Sequence, residues 1–567
     1  MLRITQLKLK EGHSPEAIEK KLRQMLGLSP GDFLTFTIRK KSLDARKKPE
    51  LFFVYTVDFT VKNEEKIKKK LKNKVQEVTE KMYTLPQILS QKGEKPVTQS
   101  PYVPSSPTLR PLAHRPVIAG SGPAGLFCAY LLAQAGFAPL VLERGACMAE
   151  RVEDVKRFWE TGVLDTQSNV QFGEGGAGTF SDGKLNTLVK DPIGRNRYVL
   201  ETFVKFGAPQ DILYEQKPHI GTDILSEVVV NMRRAIEKLG GTFLFRHQLT
   251  DIDAAGRRIQ INNNKWMDAE VLILALGHSA RDTFRMLYER NLYMEAKSFA
   301  VGVRVEHPQK VIDTSQYGRE DRRGLAAASY KLTEKLSNGR GVYSFCMCPG
   351  GYVVNASSEE GHLAVNGMSY HGRAGENANS AIIVTVTPED FKQFARDNAQ
   401  DEKDAPCVSS PHPLSGIAFQ RDLEKRAWQA GEGKIPVQRY EDFCAQRPST
   451  ETGKVHPNLK GAYTLGDVRQ IFPGELSASL EEGIRRMDKK IHGFADGDTL
   501  LSGVESRTSS PVRIPRDEQF VSSIPWIYPC GEGAGYAGGI TSAAMDGMKV
   551  AEAVIRHFAL EFSPHRP

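Results

Sequence analysis

A glycine-rich turn between two apolar runs constrains the fold of this chain more than any other feature. An apolar run at residues 116–119 leads into the turn at residues 120–125, which reads GSGPAG, and a helical pattern follows. A second apolar run at residues 139–142 then ends in Glu143. Strand, tight turn, helix, strand and acid in this order are typical of the βαβ unit that binds a dinucleotide. The sequence therefore predicts a Rossmann-like domain, and the alternative is a glycine-rich turn in an ordinary α/β core.

Each part of this turn has a separate role in a dinucleotide site. Gly120 makes the tight turn, Gly122 lets the backbone approach a pyrophosphate, and Gly125 lets the helix pack closely against the strand. The N-terminus of the helix presents free N–H groups and the positive end of its dipole to the phosphates. Glu143 lies where a carboxylate accepts a hydrogen bond from a ribose hydroxyl. We expect cofactor contacts from Gly120, Ser121, Gly122, Pro123, Ala124, Gly125, Glu143 and Arg144.

Two later segments favour FAD over a nicotinamide cofactor. An apolar run ends at Gly277, about where flavoproteins with two dinucleotide-binding domains close the FAD domain. Residues 527–540 predict a strand that ends in a glycine and an acid, followed by a helix that begins at two glycines. This resembles the second half of an FAD site, where the helix start stabilises negative charge on the reduced isoalloxazine. We expect non-covalent FAD, with contacts from Gly277, Gly531, Glu532, Gly538, Gly539 and Ile540.

A second glycine-rich loop is the next candidate for flavin contact. Residues 171–185 read QFGEGGAGTFSDGKL, and their small side chains would let a ring or a pyrophosphate lie against the backbone. A hydroxyl and an ammonium group in this loop can donate hydrogen bonds to phosphate or to the flavin. The alternative is a flexible surface loop. We expect contacts from Gly175, Gly176, Gly178, Ser181 and Lys184.

Segments spread over the chain resemble one family. They read FGEGGAGTFSDGKLNT, KPHIGTDIL, FCMCPGGYVVNASSEE, NGMSYHGRAGENANSA, ESRTSSPVRI and GEGAGYAGGITSAAMDG. Together with KKSLDARKK near the N-terminus, they resemble the uncharacterised FAD-dependent dehydrogenases of bacteria over nearly the whole chain. The resemblance implies a flavoprotein of the class with two dinucleotide-binding domains and FAD as its cofactor. It implies no particular substrate.

The pattern of elements divides the chain into an FAD-binding domain with additions. Residues 1–85 alternate strands and a helix in the order βαββα, which predicts a small ferredoxin-like module, and residues 86–115 are a Pro-rich linker. Residues 116–280 and 516–567 are assigned to the FAD-binding domain, and residues 281–515 to a cap or substrate domain inserted into it. The predicted fold class is α/β: a Rossmann-like FAD-binding domain with an inserted α/β cap domain and an N-terminal ferredoxin-like α/β module.

Positive charge is concentrated at the N-terminus. Residues 1–115 hold 24 Lys and Arg against 12 Asp and Glu, whereas the whole chain has a net charge of +8. A Lys-rich helix expected at residues 63–81 raises RNA binding as one interpretation. The module lacks the aromatic and basic signature of an RNA-recognition motif. The sequence therefore favours a solvated basic face, and a nucleic-acid partner is the less favoured alternative.

The remaining composition bears on the compartment. The chain has no run of about 18 apolar residues, which a membrane span needs, and no signal-peptide pattern at its start. It has seven Cys, an odd number without regular spacing, which favours a reducing compartment. These features predict a cytoplasmic protein with no membrane partner.

Several polar residues are weaker candidates. We expect Cys346 and Cys348 to be structural thiols, because residues i and i+2 of a strand lie about 6.5–7 Å apart and no neighbour in the sequence would stabilise a thiolate. No metal site is predicted, since further ligands at a suitable spacing are lacking. His371, Arg373 and Arg507 are weak candidates for substrate binding. The alternative is that they satisfy irregular backbone or line the flavin pocket.

The expected function is that of an FAD-dependent oxidoreductase that exchanges a hydride at flavin N5 with a small-molecule substrate. The flavin supplies the chemistry and the protein supplies placement and electrostatics. The sequence identifies no catalytic residue. It has no second glycine-rich turn between strand and helix, so NAD(P)H is expected at most as a transient reductant, and a redox protein could supply electrons instead. The alternatives are an RNA-modifying flavoprotein and a non-enzymatic FAD-binding protein.

Overall fold

The structure is a computed structural model. It describes residues 1–28, 33–71, 74–79, 82–86, 110–391 and 412–559. Most of the linker predicted at residues 86–115 lies outside the described residues. Within the described ranges, the helices are all too short or too polar to cross a bilayer.

The N-terminal module is an antiparallel sheet covered by two helices. Its strands lie in the order β2-β3-β1-β4, which is the ferredoxin-like arrangement, so the predicted module is confirmed. The prediction of one helix over residues 63–81 is wrong, because Val75 pairs with Ile4 in the sheet and is buried in the core. The elements are β1 (Leu2–Lys10), α1 (Glu16–Leu26), β2 (Phe33–Asp44), β3 (Phe52–Val61), α2 (Glu64–Leu71) and β4 (Val75–Glu77).

Ion pairs within the chain neutralise part of the module's positive charge. The buried carboxylate of Asp58 accepts hydrogen bonds from Arg3 at 2.6 Å and from Arg39 at 2.7 Å. Lys68 pairs with two glutamates of the module, at 2.7 and 2.8 Å. The module also contacts the rest of the chain, since the backbone N–H of Lys41 donates to the carbonyl of Tyr214 at 2.7 Å. Fewer basic side chains are therefore free for a nucleic acid than the sequence count indicates.

The middle of the chain and its C-terminus form a region that is built around one parallel sheet. Its elements before the cap are β5 (Arg110–Pro111), β6 (Val117–Ala119), α3 (Pro123–Gln134), β7 (Leu140–Glu143), α4 (Met148–Thr161), a 3₁₀ helix (Ala177–Phe180), α5 (Arg195–Lys205), a 3₁₀ helix (Gln210–Leu213), α6 (Thr222–Lys238), β8 (Thr242–Phe245), β9 (Leu249–Asp253), β10 (Arg258–Ile261), β11 (Lys265–Asp268), β12 (Leu272–Leu274) and α7 (Arg281–Glu289). Its elements after the cap are β25 (Ile527–Pro529), α12 (Ile540–His557) and β26 (Phe558–Ala559).

The strand order of this sheet confirms the Rossmann-like fold. The strands lie in the order β25-β12-β6-β7-β8, and each neighbouring pair is parallel. Helix α3 is buried almost all round because it lies between this sheet and α12. The two helices approach closely, since a Cβ on Gly547 would lie 2.1 Å from the carbonyl oxygen of Ala124. The C-terminal helix is therefore part of the same core as the glycine-rich turn.

The chain leaves the parallel sheet after β12 and returns to it at β25. The elements between are β13 (Glu295–Ala296), β14 (Phe299–Pro308), α8 (Gln309–Tyr317), β15 (Thr333–Lys335), β16 (Gly341–Cys348), β17 (Tyr352–Asn355), β18 (Val365–Met368), β19 (Asn377–Val386), α9 (Ser415–Ala430), β20 (Ile435–Arg439), α10 (Tyr440–Cys444), β21 (Leu459–Lys460), β22 (Tyr463–Leu465), a 3₁₀ helix (Arg469–Ile471), α11 (Gly474–Met487), β23 (Leu500–Glu505) and β24 (Val512–Arg513).

Seven of these strands form a second, mixed sheet, called the cap sheet below, with strand order β15-β16-β19-β14-β23-β20-β22. Strands β17, β18 and β21 form a small separate sheet, and β13 pairs with β24. Its long strands β14 and β19 are apolar and almost wholly buried, as expected for central strands covered on both faces. One edge of the cap sheet, at the ends of β16 and β23, faces the carboxyl ends of the parallel strands. The functional site described next lies between the two sheets.

Candidate functional site

One cleft runs across the carboxyl ends of β6, β7 and β12 and ends against the cap sheet, with a volume of about 360 Å³. It brings together residues that are up to about 420 positions apart in the sequence. The predicted cofactor residues that line it are Gly120, Ser121, Gly122, Pro123, Ala124, Glu143, Arg144, Gly176, Gly178, Ser181, Lys184, Gly277, Glu532, Gly538, Gly539 and Ile540. Three other predicted residues do not line the cleft and lie behind the residues that do: Gly125, Gly175 and Gly531.

The glycines of the first turn divide into packing and cleft positions. Gly120 has a φ of +107°, which favours glycine, and a Cβ on Gly125 would lie 2.0 Å from the carbonyl oxygen of Gly120. Both glycines therefore allow close packing of strand and helix. A Cβ on Gly122 would instead meet its nearest atom, the Cα of Gly176, at 3.8 Å. Gly122 is the N-cap of α3, and no side chain of the described chain caps this helix start.

Glu143 organises the turn from within the protein. One carboxylate oxygen accepts hydrogen bonds from the backbone N–H and the hydroxyl of Ser121, at 3.0 and 2.7 Å. The other accepts from the N–H groups of Gly145 and Gly173, at 2.9 and 3.0 Å. These four donors fix the turn against the second glycine-rich loop. A ribose hydroxyl at Glu143 would have to share these oxygens, and the ribose contact stays a prediction.

Arg144 follows directly on the same side of the cleft. Its guanidinium lies over the ring of Phe172, 4.1 Å from the centroid, and pairs with Asp282 at 2.8 Å. A guanidinium held flat against an aromatic ring offers a planar surface to a base. This end of the cleft is therefore suited to the adenosine part of a dinucleotide.

The second glycine-rich loop packs on the first. A Cβ on Gly176 would lie 3.0 Å from the Cα of Gly122, so glycine is needed where the two loops touch. Gly175 and Gly531 have similar packing roles, since a Cβ on either would lie within 2.7 Å of a neighbouring side chain. The hydroxyl of Ser181 is occupied within the loop, because it donates to the carbonyl of Gly178 at 2.6 Å.

Two buried nitrogen atoms at the cleft lack a hydrogen-bond partner among the described residues. They are the Nζ of Lys184 and the Nε2 of His278. Lys184 Nζ lies 3.4 Å from a carboxylate oxygen of Asp182, and His278 Nδ1 lies 3.3 Å from Glu532. The positive charges of Lys184 and Arg373 lower the pKa of Asp182 although burial acts to raise it. Unpaired buried nitrogens are costly, and they are suited to the acceptor atoms of a bound group.

The start of α12 also opens onto the cleft. Gly539 is its N-cap and has no side chain to cap it, and the hydroxyl of Ser542 accepts a hydrogen bond from the N–H of Gly538 at 3.3 Å. A Cβ on Gly277, Gly538 or Gly539 would meet no described atom within 4 Å, so these backbones border open space. Together with two unpaired nitrogens and the uncapped start of α3, this space fits a dinucleotide with an acceptor-rich ring, as FAD has.

The end of the cleft at the cap sheet was not predicted from the sequence. It is lined by Phe345, Cys346, Asn366, Glu505 and Thr508. Beneath these residues the fully buried Arg304 donates to Glu505 at 2.8 Å and to Asn366 at 3.0 Å. Burial raises the pKa of Glu505, against the opposing effect of Arg304. A charged residue within the apolar strand FAVGVRVEHP was the sequence signal that could have indicated this site.

The three weak substrate candidates lie at different depths. Arg507 lines the cleft, but its guanidinium pairs with the buried Glu424 at 2.8 Å. Arg373 lies behind the wall and donates to Asp182 at 3.1 Å. His371 lies farther out, where its ring stacks on that of His219 with centroids 5.2 Å apart. Of the three, Arg507 alone borders the cleft, and substrate contact stays a prediction.

One sequence expectation about Cys346 is wrong. Its neighbours in the fold stabilise a thiolate, and one of them, Cys348, is also a neighbour in the sequence. A hydrogen bond from Cys348 and the positive charges of Lys184 and Arg304 lower the pKa of Cys346 to about 5, against the effect of burial. Lys184 and Arg304 come from another loop and another strand, so the sequence around Cys346 does not show these two charges.

The fold and the cleft define a flavoprotein of the Rossmann-like class. Residues 298–508 match a family described as FAD-dependent protein, C-terminal domain-like. Residues 118–173 match an NAD(P)-binding Rossmann-like domain, and residues 1–60 match a domain of unknown function.

A relative extends this likeness over the whole chain. An uncharacterised protein of Clostridium beijerinckii is 43% identical over 568 residues, which cover 99% of each chain. The chain belongs to the same family of FAD-dependent proteins as this relative, and FAD is its cofactor. The resemblance noted from the sequence motifs is thereby confirmed.

Three solved structures are similar to this chain at low identity. A 2-methyl-3-hydroxypyridine-5-carboxylic acid oxygenase is 10% identical, with 76% of this chain and 79% of that chain covered and a TM-score of 0.30. A tetracycline destructase is 11% identical (76% and 78% covered, TM-score 0.30), and the halogenase PltM is 9% identical (77% and 67% covered, TM-score 0.33). At these TM-scores the likeness says nothing of activity, and the fold stands on the strand order described above.

Proposed function

We propose that the protein is an FAD-dependent oxidoreductase that exchanges a hydride between flavin N5 and a small substrate. The observation that supports this most is the end of the cleft at the cap sheet, where buried polar and titratable side chains form the wall. Burying such groups is costly unless they have a task. A flavin held only as a structural element would be served by an apolar wall.

The sheet topology supports one orientation of FAD in the cleft. The strands β7 and β8 lie on one side of β6, and β12 and β25 lie on the other, so β6 marks the switch point where such sheets bind ligands. The uncapped start of α3 suits the pyrophosphate. Arg144 on the β7 side suits adenosine. The isoalloxazine then belongs on the β12 side, between the start of α12 and the cap sheet.

The residues on that side would favour the reduced state. The N-terminus of α12 carries about half a positive charge and opens onto the cleft at Gly538 and Gly539. Lys184 adds a positive charge that Asp182 partly balances at 3.4 Å, and its Nζ has no hydrogen-bond partner among the described residues. Bound FAD supplies the hydride-accepting atom, and these groups stabilise negative charge on its ring and orient it. In this proposal NADH or NADPH is the reductant and binds only transiently, because the sequence has one glycine-rich turn of the dinucleotide type and we assign this turn to FAD.

Anaerobic mixing of the FAD-loaded protein with sulfite, NADH and NADPH tests the proposal. Sulfite adds to N5 of an oxidised flavin only where a small anion can reach this atom, so we expect it to bleach the flavin absorbance. We also expect NADH or NADPH to reduce the flavin faster than it reduces free FAD, and more slowly when its transferred hydrogen is replaced by deuterium. Protein that keeps its flavin spectrum with sulfite and with both nucleotides would overturn the proposal in favour of a structural FAD.

A pair of lysine variants shows whether the cleft itself controls this reactivity. Lys184→Met removes the positive charge at the flavin side, and we expect weaker sulfite binding. Lys190→Met is the matched control, since Lys190 is exposed and lies outside the cleft, and we expect the affinity of the unaltered protein. Equal sulfite affinities of the two variants would contradict the proposed position of the ring.

A further inference from the structure

Cys346 and Cys348 lie at the end of β16, in the wall that the cap sheet gives to the cleft. Cys346 borders the cleft, whereas Cys348 is fully buried behind it. The strand is irregular here, because its register with β19 shifts between Phe345 and Cys348, and Cys346 has a φ of +42°. The backbone here therefore departs from the regular strand geometry that keeps residues i and i+2 about 6.5–7 Å apart. The thiol of Cys348 donates a hydrogen bond to the backbone carbonyl oxygen of Cys346 at 3.3 Å.

Arg304 supports the bend from beneath. Its Nη1 donates to the carbonyl oxygen of Cys346 at 2.8 Å and lies 4.0 Å from the sulfur of Cys348. Because a guanidinium is not deprotonated in proteins, a positive charge stays under the pair. A left-handed conformation at a non-glycine residue is unfavourable, and such residues cluster at functional sites. The strand is therefore held in an unfavourable conformation at the point where its thiol meets the cleft.

The environment makes the two thiols unequal. The pKa of Cys346 is lowered because Cys348 donates to it and because Lys184 and Arg304 are positive, whereas hydrogen bonding to Cys346 and burial raise the pKa of Cys348. The environment therefore favours the thiolate at Cys346 and the protonated thiol at Cys348. One thiolate beside one thiol is the state from which dithiol–disulfide exchange starts.

We propose that Cys346 and Cys348 are a redox-active pair that exchanges two electrons with the bound FAD. This rests on the proposed function, because it needs a flavin that is reduced and reoxidised in the same cleft. In one direction an S–S bond forms between Cys346 and Cys348 and the S–H bond of Cys348 breaks. The two electrons and this proton pass to the oxidised flavin, so the single negative charge that the Cys346 thiolate carried is then on the flavin. In the other direction reduced flavin cleaves the disulfide.

Anaerobic reductive titration of the FAD-loaded protein with dithionite tests the pair, starting from protein oxidised in air. We expect the unaltered protein to take up four electrons per FAD, and the variants Cys346→Ser and Cys348→Ser to take up two. Cys444→Ser is the matched control, because Cys444 is a half-buried thiol of the same cap region outside the cleft, and we expect four electrons. Uptake of two electrons by the unaltered protein would overturn the proposal and leave structural thiols.

Thiol counting on the unaltered protein gives an independent readout that needs no variant. Alkylation before and after the titration, followed by mass spectrometry, should show the peptide with both cysteines unmodified first and doubly alkylated afterwards. Full alkylation before reduction would also overturn the proposal. Failure of the redox pair can be distinguished from failure of the proposed function. A flavin that takes up two electrons and reacts with sulfite leaves the proposed function intact, whereas a flavin that accepts no electrons overturns it.

Discussion

Replacing Gly122 with valine separates cofactor binding from folding. The backbone at Gly122 has a φ of −68°, which any residue adopts, and a Cβ there would lie 3.8 Å from its nearest neighbour, so the protein itself accommodates a side chain. The added methyl groups would occupy the space proposed for the pyrophosphate. Loss of two charge-assisted hydrogen bonds of about 1.5–3 kcal/mol each would weaken FAD binding by roughly 10²- to 10⁴-fold.

Calorimetric titration of the apoprotein with FAD measures this loss, and thermal unfolding of the apoprotein measures the fold. We expect a large fall in affinity for Gly122→Val and an unfolding midpoint close to that of the unaltered apoprotein. Gly341→Val is the matched control, because no described atom lies within 4 Å of a Cβ at Gly341, which is in the cap sheet away from the cleft. Unchanged FAD affinity in Gly122→Val would refute the assigned phosphate position.

Three further predictions concern stability. A Cβ at Gly125 would lie 2.0 Å from a carbonyl oxygen, so Gly125→Ala should lower the free energy of unfolding as well as FAD binding, and an unchanged urea midpoint would contradict this. Glu424→Gln removes the carboxylate shared by the buried Arg281 and Arg507, which leaves Arg281 only its longer contact with Glu359 at 3.4 Å, and should cost about 3–5 kcal/mol in urea unfolding; a loss below about 1 kcal/mol would show that the network is unimportant. Burial lowers the pKa of His307 from 6.5 to about 4, so the unfolded chain binds this proton first as the pH falls. The free energy of unfolding should therefore decrease between pH 6.5 and 4, by up to about 3 kcal/mol from this residue, and His307→Gln should flatten the dependence; equal slopes would contradict the assignment.

Local patterns were sufficient for the parts of the site that are local in sequence. The turn at residues 120–125 combines strand, glycines and helix within one βαβ unit, so its conformation follows from steric requirements that the sequence displays. The same holds for the start of α12, where two glycines precede a long amphipathic helix. In both cases the residues that make the backbone geometry are neighbours in the chain.

The end of the cleft at the cap sheet could not be predicted in this way. Arg304 and Glu505 are 201 positions apart, and they meet because β14 and β23 pair in the cap sheet. A strand pairing over that separation leaves no periodic signal. The bend at Cys346 also depends on a buried partner from another strand, Arg304. For this reason the expectation for this thiol, which assumed regular strand spacing, was wrong. Charged residues within apolar strands were the one feature of the sequence that indicated this end of the cleft.

A crystal structure of the FAD-loaded protein tests the central claim most directly. The account predicts pyrophosphate oxygens within about 3.2 Å of backbone N–H groups at residues 122–125, and the N1–C2=O edge of the isoalloxazine within the same distance of an N–H group at residues 538–542. It also predicts that the ring lies between α12 and the cap sheet. A flavin bound outside this cleft, or a ring farther than a hydrogen bond from every N–H of residues 538–542, would contradict it.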